Sequence, residues 1–266
     1  MLKTRIISGI ILAVVMATIT ILGGNVFFFS MALLSLWGMY ELYRCAKIEK
    51  TALAILGYMM AVVFWLVNYL LSEEYNFLIL ILAITGLFML YVIRFGVFEL
   101  YEAVFVFFGF AYLAGMFYFL QKIRVSENGI GLMLLLVIGT WGCDTCAYFS
   151  GRLFGKRKLA PILSPKKTIE GAVGGVVGSV LLGILCAYVF PKLIVSNIPS
   201  SIFCVIVCFT ISVVSQFGDL TASAIKRHFE VKDYGKLIPG HGGILDRFDS
   251  LIFSAPVMYL IVLVFT

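Results

Sequence analysis

The sequence predicts an all-α, polytopic integral membrane protein with about nine transmembrane helices and a cytoplasmic N-terminus. Three observations predict it. The chain is 62% hydrophobic and only 13% charged, whereas soluble domains are about half apolar. Apolar runs of roughly 20 residues recur from end to end, the length an α-helix needs to cross a hydrocarbon core of about 30 Å, and none alternates like the strands of a membrane barrel. Lysines and arginines fall almost entirely in every second loop, the asymmetry that orients a membrane protein.

The first apolar run follows Lys3 and Arg5 and has the look of a leader. Its length, the lack of a convincing cleavage site and the second run directly behind it favour a retained helix. Helices are expected over 6–23, 26–42, 51–71, 77–93, 100–120, 129–150 and 171–190, from 202 into a charged continuation past Asp219, and over 250–265. With the N-terminus inside, 17 of the 20 lysines and arginines lie on the cytoplasmic side, leaving Lys122, Arg124 and Lys192 outside. That places two long polar loops, 151–170 and 221–249, on the face where nucleotides are found. The net charge of +6 is therefore topogenic, and nucleic acid is not expected as a partner.

The first five helices carry few charges. Residues 1–125 are read as packing, anchoring or oligomerisation helices, which leaves a homodimer interface open, and 126–266 as the catalytic part. Glu73 and Glu74 are read as solvated loop charges, while Glu99 and Glu102 sit at a helix start, where the macrodipole favours acids. Cys143 and Cys146 form a lone CxxC with no second pair to complete a zinc site. Cys186, Cys204 and Cys208 lie in apolar runs, where thiols act as small hydrophobes.

The character changes at the sixth helix. Asp144 lies within an apolar run, where a carboxylate is costly enough to mark function. Six basic residues follow between Arg152 and Lys167. Ser164 and Pro165 are expected to start a turn and Thr168 to cap the next helix, whose N-terminus beside Lys166 and Lys167 would suit a phosphate. Gly171, Gly174, Gly175 and Gly178 have the small-residue spacing of close helix packing.

The densest chemistry runs from Ser223 to Asp249, where eleven acidic, basic or histidine side chains collect. Asp219, Ser223, Lys226 and Arg227 stand at helical spacing on one face. Asp246 and Asp249 share a face if the ninth helix begins before Ser250. Carboxylates beside cations suit Mg²⁺ shared with phosphate groups. Between them, Pro239, Gly240, His241, Gly242 and Gly243 form a loop able to bring N–H groups near a phosphate.

Ser223, Ile225, Lys226, Arg227, Lys232, Asp233, Gly235, Ile238, Pro239, His241, Gly242, Gly243, Ile244, Asp246, Arg247, Phe248 and Asp249 fit one pattern without a departure. That pattern resembles the signature of phosphatidate cytidylyltransferases, also called CDP-diacylglycerol synthases. Asp144, Thr145, Ala147, Tyr148, Gly151, Arg152, Ser164 to Thr168, Glu170 and Gly171 are similar to the family as well, with Ile169 where many relatives carry Trp. The resemblance implies transfer of a cytidylyl group from CTP to phosphatidic acid, with release of pyrophosphate. It further implies that Asp219 and Asp246, with Asp249 and Asp144, hold Mg²⁺ in a paired-metal arrangement whose second site could take a monovalent cation. Lys166, Lys167, Lys226 and Arg227 would hold phosphates. Ser223 and His241 would orient oxygens, and Ser164, Thr168, Gly242, Gly243 and Arg247 would complete substrate binding. The expected location is a bacterial cytoplasmic membrane, with membrane lipid as partner and the site at its inner face. Two alternatives stay open: a CTP-dependent lipid kinase, which transfers the γ-phosphate, and an ion-coupled transporter using Asp144 and Asp219.

Overall fold

The computed structural model describes residues 2–194, 196–240 and 242–266, with side chains from Ile7 onward. Among them run nine long helices: α1 (Leu2–Leu22), α2 (Gly24–Cys45), α3 (Ala52–Leu70), α4 (Asn76–Ile93), α5 (Leu100–Val125), α6 (Gly129–Phe154), α7 (Ile169–Val189), α8 (Ser200–His228) and α9 (Leu245–Phe265). Eight are long and apolar enough to cross a membrane, and α1 contributes the shorter apolar stretch Ile7–Leu22. The helices fall where the apolar runs predict them, but several run further into the polar loops. The loop segments shrink accordingly to 155–168 and 229–244.

Polar contacts divide the bundle into two ends. At one end, Ser8 Oγ donates to the Pro239 carbonyl at 3.0 Å and Arg44 Nη2 to the Tyr234 carbonyl at 2.7 Å. At the other, Arg124 Nε reaches the Thr20 carbonyl at 2.6 Å and Lys122 pairs with Glu73 at 2.5 Å. The ion pair corrects the reading of Glu73 as merely solvated. This partition puts the two polar loops on one end and Lys122 and Arg124 on the other, as the charge asymmetry demands. The 29 residues of α8 span roughly 43 Å at 1.5 Å per residue. That exceeds a hydrocarbon core of about 30 Å, so its last turns, with Lys226 to His228, project beyond it.

Two departures from a plain helical bundle bear on the site. Lys158–Ala160 (β1) and Ser164–Thr168 (β2) form a small antiparallel hairpin, pairing Lys158 with Thr168 and Ala160 with Ser164. The turn lies at Pro161 to Leu163, so Ser164 opens a strand instead of starting the turn. Second, α6 widens into a π-helical segment at Ile138–Gly142, just before Asp144, and α5 does so at Phe110–Gly115. Such widenings reset the phase of a helix and are frequent at functional sites.

The core of the first half is aromatic: Phe28 meets Trp65 edge-on at 5.0 Å, and Phe64 meets Tyr118 at 5.3 Å. Buried Tyr43 donates to the Val106 carbonyl at 2.6 Å. Along α4, Phe77, Leu78, Leu82, Met89, Val92 and Ile93 stay exposed, a face suited to lipid. In the second half, α7 lies close against α6. A Cβ at Gly175 would stand 2.9 Å from both the Ala147 Cβ and the Cys143 carbonyl oxygen, so the small-residue stripe is a packing seam. Gly175→Leu is expected to force α6 and α7 apart at a cost of about 1–3 kcal/mol. A lowered thermal midpoint in detergent would register it.

Candidate active site

The site forms where the hairpin, α6, α8 and the start of α9 meet. Thr168 caps α7 by accepting from the Gly171 N–H at 3.1 Å, and Glu170 ties down the backbone N–H groups of Lys156 and Arg157 at 3.0 and 3.2 Å. These bonds aim β2 back over the helices. Within β2, Lys166 is exposed and Lys167 half-buried, where it forms an ion pair with Asp219 of α8. Asp144, Lys166, Lys167, Thr168, Gln216 and Asp219 line a cavity of about 410 Å³, on which Asp144 is exposed. Gln216 is held there by its side-chain amide, which donates to the Ala172 carbonyl at 3.2 Å.

The second block arrives with α9, which starts at Leu245 and so does carry Asp246 and Asp249 in its first turns. Asp144, Asp219 and Asp249 lie near enough to feel one another's charge, with Lys167 and Arg247 acting on Asp144 and Lys226 on Asp249. Sequence segments about a hundred residues apart thus converge on one mixed cluster. Arg247 also lines a neighbouring cavity of about 630 Å³ with Lys232, Asp233, Lys236 and Gly242. Its buried Nε has no hydrogen-bond partner among the described residues.

Asp246 has a different occupation. Its Oδ1 pairs with Lys226 Nζ at 2.8 Å, and its Oδ2 accepts from the N–H groups of Tyr234 at 2.8 Å and Gly243 at 2.9 Å. Both oxygens are engaged, and the side chain is 2% exposed. Asp246 thus staples the loop 229–244 to the ends of α8 and α9. Gly242 has φ +87°, a left-handed turn that glycine alone adopts without strain. Lys226 lies 5.2 Å from the Tyr234 ring centre. Burial pushes the Tyr234 phenol far above its ordinary value, so it stays a neutral donor to the Ala222 carbonyl at 3.0 Å.

Other predicted residues are placed differently. Ser223 is half-buried on α8, four residues beyond Asp219, whereas Arg227 is exposed and lines neither cavity. Ser164 sits at the far end of β2, outside both linings. The Gly243 N–H is committed to Asp246. His241 lies outside the described residues. Among those residues no three Asp, Glu, His or Cys side chains cage a metal by themselves. Mg²⁺, which takes few protein oxygens and shares the rest with substrate phosphates, nonetheless fits the carboxylates of Asp144 and of Asp219, which line the cavity together, Asp219 beside Lys167.

The sequence profile of the cytidylyltransferase family matches residues 3–265. The chain belongs to the cytidylyltransferase family. It is similar to a phosphatidate cytidylyltransferase of Bacillus subtilis, 32% identical over all of this chain and 99% of the relative. A phosphatidate cytidylyltransferase of Staphylococcus haemolyticus is 32% identical over 98% of this chain and 99% of its own. One from Thermotoga maritima is 42% identical over 51% of this chain and 50% of the relative. For this cytidylyltransferase-family member, the helices read as bare scaffold prove to touch the site. Glu41 of α2 is 1% exposed and accepts from the N–H groups of Ile244 at 3.1 Å and Leu245 at 2.9 Å. Tyr112 of α5 buries a hydroxyl that has no partner among the described residues, within electrostatic reach of Asp249. The cue for Glu41 was an acid in an apolar helix, the same one that singled out Asp144. It was hidden by its place one turn from the helix end.

Proposed function

We propose that the protein transfers a cytidylyl group from CTP to phosphatidic acid, forming CDP-diacylglycerol and pyrophosphate in phospholipid synthesis. The observation that carries this reading is the mixed cluster of Asp144, Asp219 and Asp249 with Lys167, Lys226 and Arg247, at the projecting end of a membrane bundle. A phosphate oxygen of the lipid attacks the α-phosphorus of CTP. That P–O bond forms as the bond between the α-phosphorus and the bridging oxygen to the β-phosphate breaks, and the pair of electrons leaves with pyrophosphate. No covalent nucleophile on the protein is needed, so positioning and charge neutralisation carry the rate.

In this reading Lys167 exchanges its Asp219 partner for a CTP phosphate, and Arg247, which lines the neighbouring cavity, offers its guanidinium to another. Asp219, with Asp144 or Asp249, would hold Mg²⁺, which supplies neutralisation of the phosphate charge when bound. Lys226 and Asp246 keep the glycine loop closed beside them. The acyl chains of phosphatidic acid remain in the bilayer while CTP arrives from water, which suits a site at the cytoplasmic face of a bacterial inner membrane. A lipid kinase would use the same cations, but it gives no account of the matched signature through Asp249. An ion-coupled transporter accounts for the acids and leaves the basic hairpin without a role.

Sealed vesicles of known orientation test the reading. With phosphatidic acid in the bilayer and CTP and Mg²⁺ outside, inside-out vesicles are expected to accumulate CDP-diacylglycerol, and right-side-out vesicles only after permeabilisation. Product from intact right-side-out vesicles would overturn the sidedness. Nucleotide-independent cation flux with no lipid product would overturn the reaction.

A further inference from the structure

We infer that Glu41 and Arg44 of α2 form a positioning clamp that sets the start of α9, and with it Asp246 and Asp249, for the reaction proposed above. The two residues stand three apart and share a face of the helix. Glu41 uses both carboxylate oxygens on the N-terminus of α9, Oε1 to the Ile244 N–H at 3.1 Å and Oε2 to the Leu245 N–H at 2.9 Å. A carboxylate in that place caps orphan N–H groups and meets the positive end of the helix dipole. Trp37 donates to Oε1 at 3.1 Å and fixes the side chain from its own helix. Arg44 holds the same loop at its other end through the Tyr234 carbonyl, at 2.7 Å.

The loop is shaped to admit this side chain. A Cβ at Gly235 or Gly243 would overlap the Glu41 carboxylate, so these glycines give room to Glu41. Tyr234 and Gly243, whose N–H groups hold Asp246 Oδ2, are thereby gripped from both sides. A buried carboxylate is costly unless its hydrogen bonds are made, and here they are made only when α9 begins at the observed place. The N-terminal helices therefore enter the chemistry through position, with Glu41 touching no reacting atom.

The test compares purified wild type, Glu41→Gln and Arg44→Met, and it starts from measured wild-type turnover, so that failure of the reaction assignment is seen separately. Gln keeps one acceptor and turns an amide N–H toward a backbone N–H. Its kcat is expected to fall by roughly tenfold or more, the effect of losing a charge-assisted hydrogen bond, while KM for CTP stays within about twofold. Amide exchange at residues 243–247 should accelerate while that of α2 holds. Arg44 is exposed, so Arg44→Met tests the clamp without burying a defect; its kcat is expected to drop by about threefold or more with KM unchanged. Wild-type kcat in Arg44→Met, or a Glu41→Gln loss matched by lower stability and faster exchange throughout α2 to α5, would overturn the clamp.

Discussion

Asp219→Asn is expected to lower turnover roughly a hundred- to a thousandfold, the scale of removing one electrostatic group from a preorganised site. Asp219 stands at the centre of the cluster. It pairs with Lys167, lines the cavity with Asp144, and acts on Asp249. Asparagine matches its shape but carries no charge, so it can neither pair with Lys167 nor serve as an anionic oxygen ligand to Mg²⁺. The side chain is 29% exposed, so the exchange leaves no buried charge stranded in the core. Turnover should therefore collapse with the thermal midpoint and detergent elution profile unchanged. Normal Mg²⁺-dependent turnover in Asp219→Asn would remove Asp219 from the metal site.

Asp246→Asn is expected to fail differently, losing stability as well as activity. Its carboxylate satisfies Lys226 and two backbone N–H groups in a nearly sealed place. Removing one partner of a buried pair typically costs about 3–5 kcal/mol, because the other charge is left uncompensated. The loop 229–244 should loosen, visible as faster proteolysis after Lys232 and Lys236, and the melting transition should fall. Adding Lys226→Met removes the stranded ammonium, so the double variant is expected to regain part of the stability and none of the turnover. Equal stability of the wild type, Asp246→Asn and the double variant would show that the pair contributes nothing to holding the loop.

These two aspartates show how far the sequence could be read. Both are visible as candidates, Asp219 by its helical spacing with Ser223, Lys226 and Arg227, and Asp246 by its place in the densest run of charged side chains. The helices of the bundle were legible as well, because apolar length is written directly in the chain. What distinguished the two aspartates was not legible. The engagement of Asp246 depends on Tyr234 and Gly243, whose backbone N–H groups carry no trace in residue type. Glu41 was missed because its partners lie about two hundred positions away, in the backbone of α9. The hairpin at Lys158–Thr168 is not legible, since five strand residues with two lysines and a proline give no apolar alternation. Arg227 looks equivalent to Lys226 by spacing, and only the end of α8 separates an exposed guanidinium from a half-buried ammonium.

The reaction itself is tested most directly by following the phosphates of CTP. Purified protein in detergent is given phosphatidic acid, Mg²⁺ and CTP labelled separately at the α- and γ-phosphates. The α-label is predicted to enter the lipid fraction while the γ-label leaves as pyrophosphate. Recovery of the γ-label in lipid, with CDP left in solution, would contradict cytidylyl transfer and make the protein a lipid kinase.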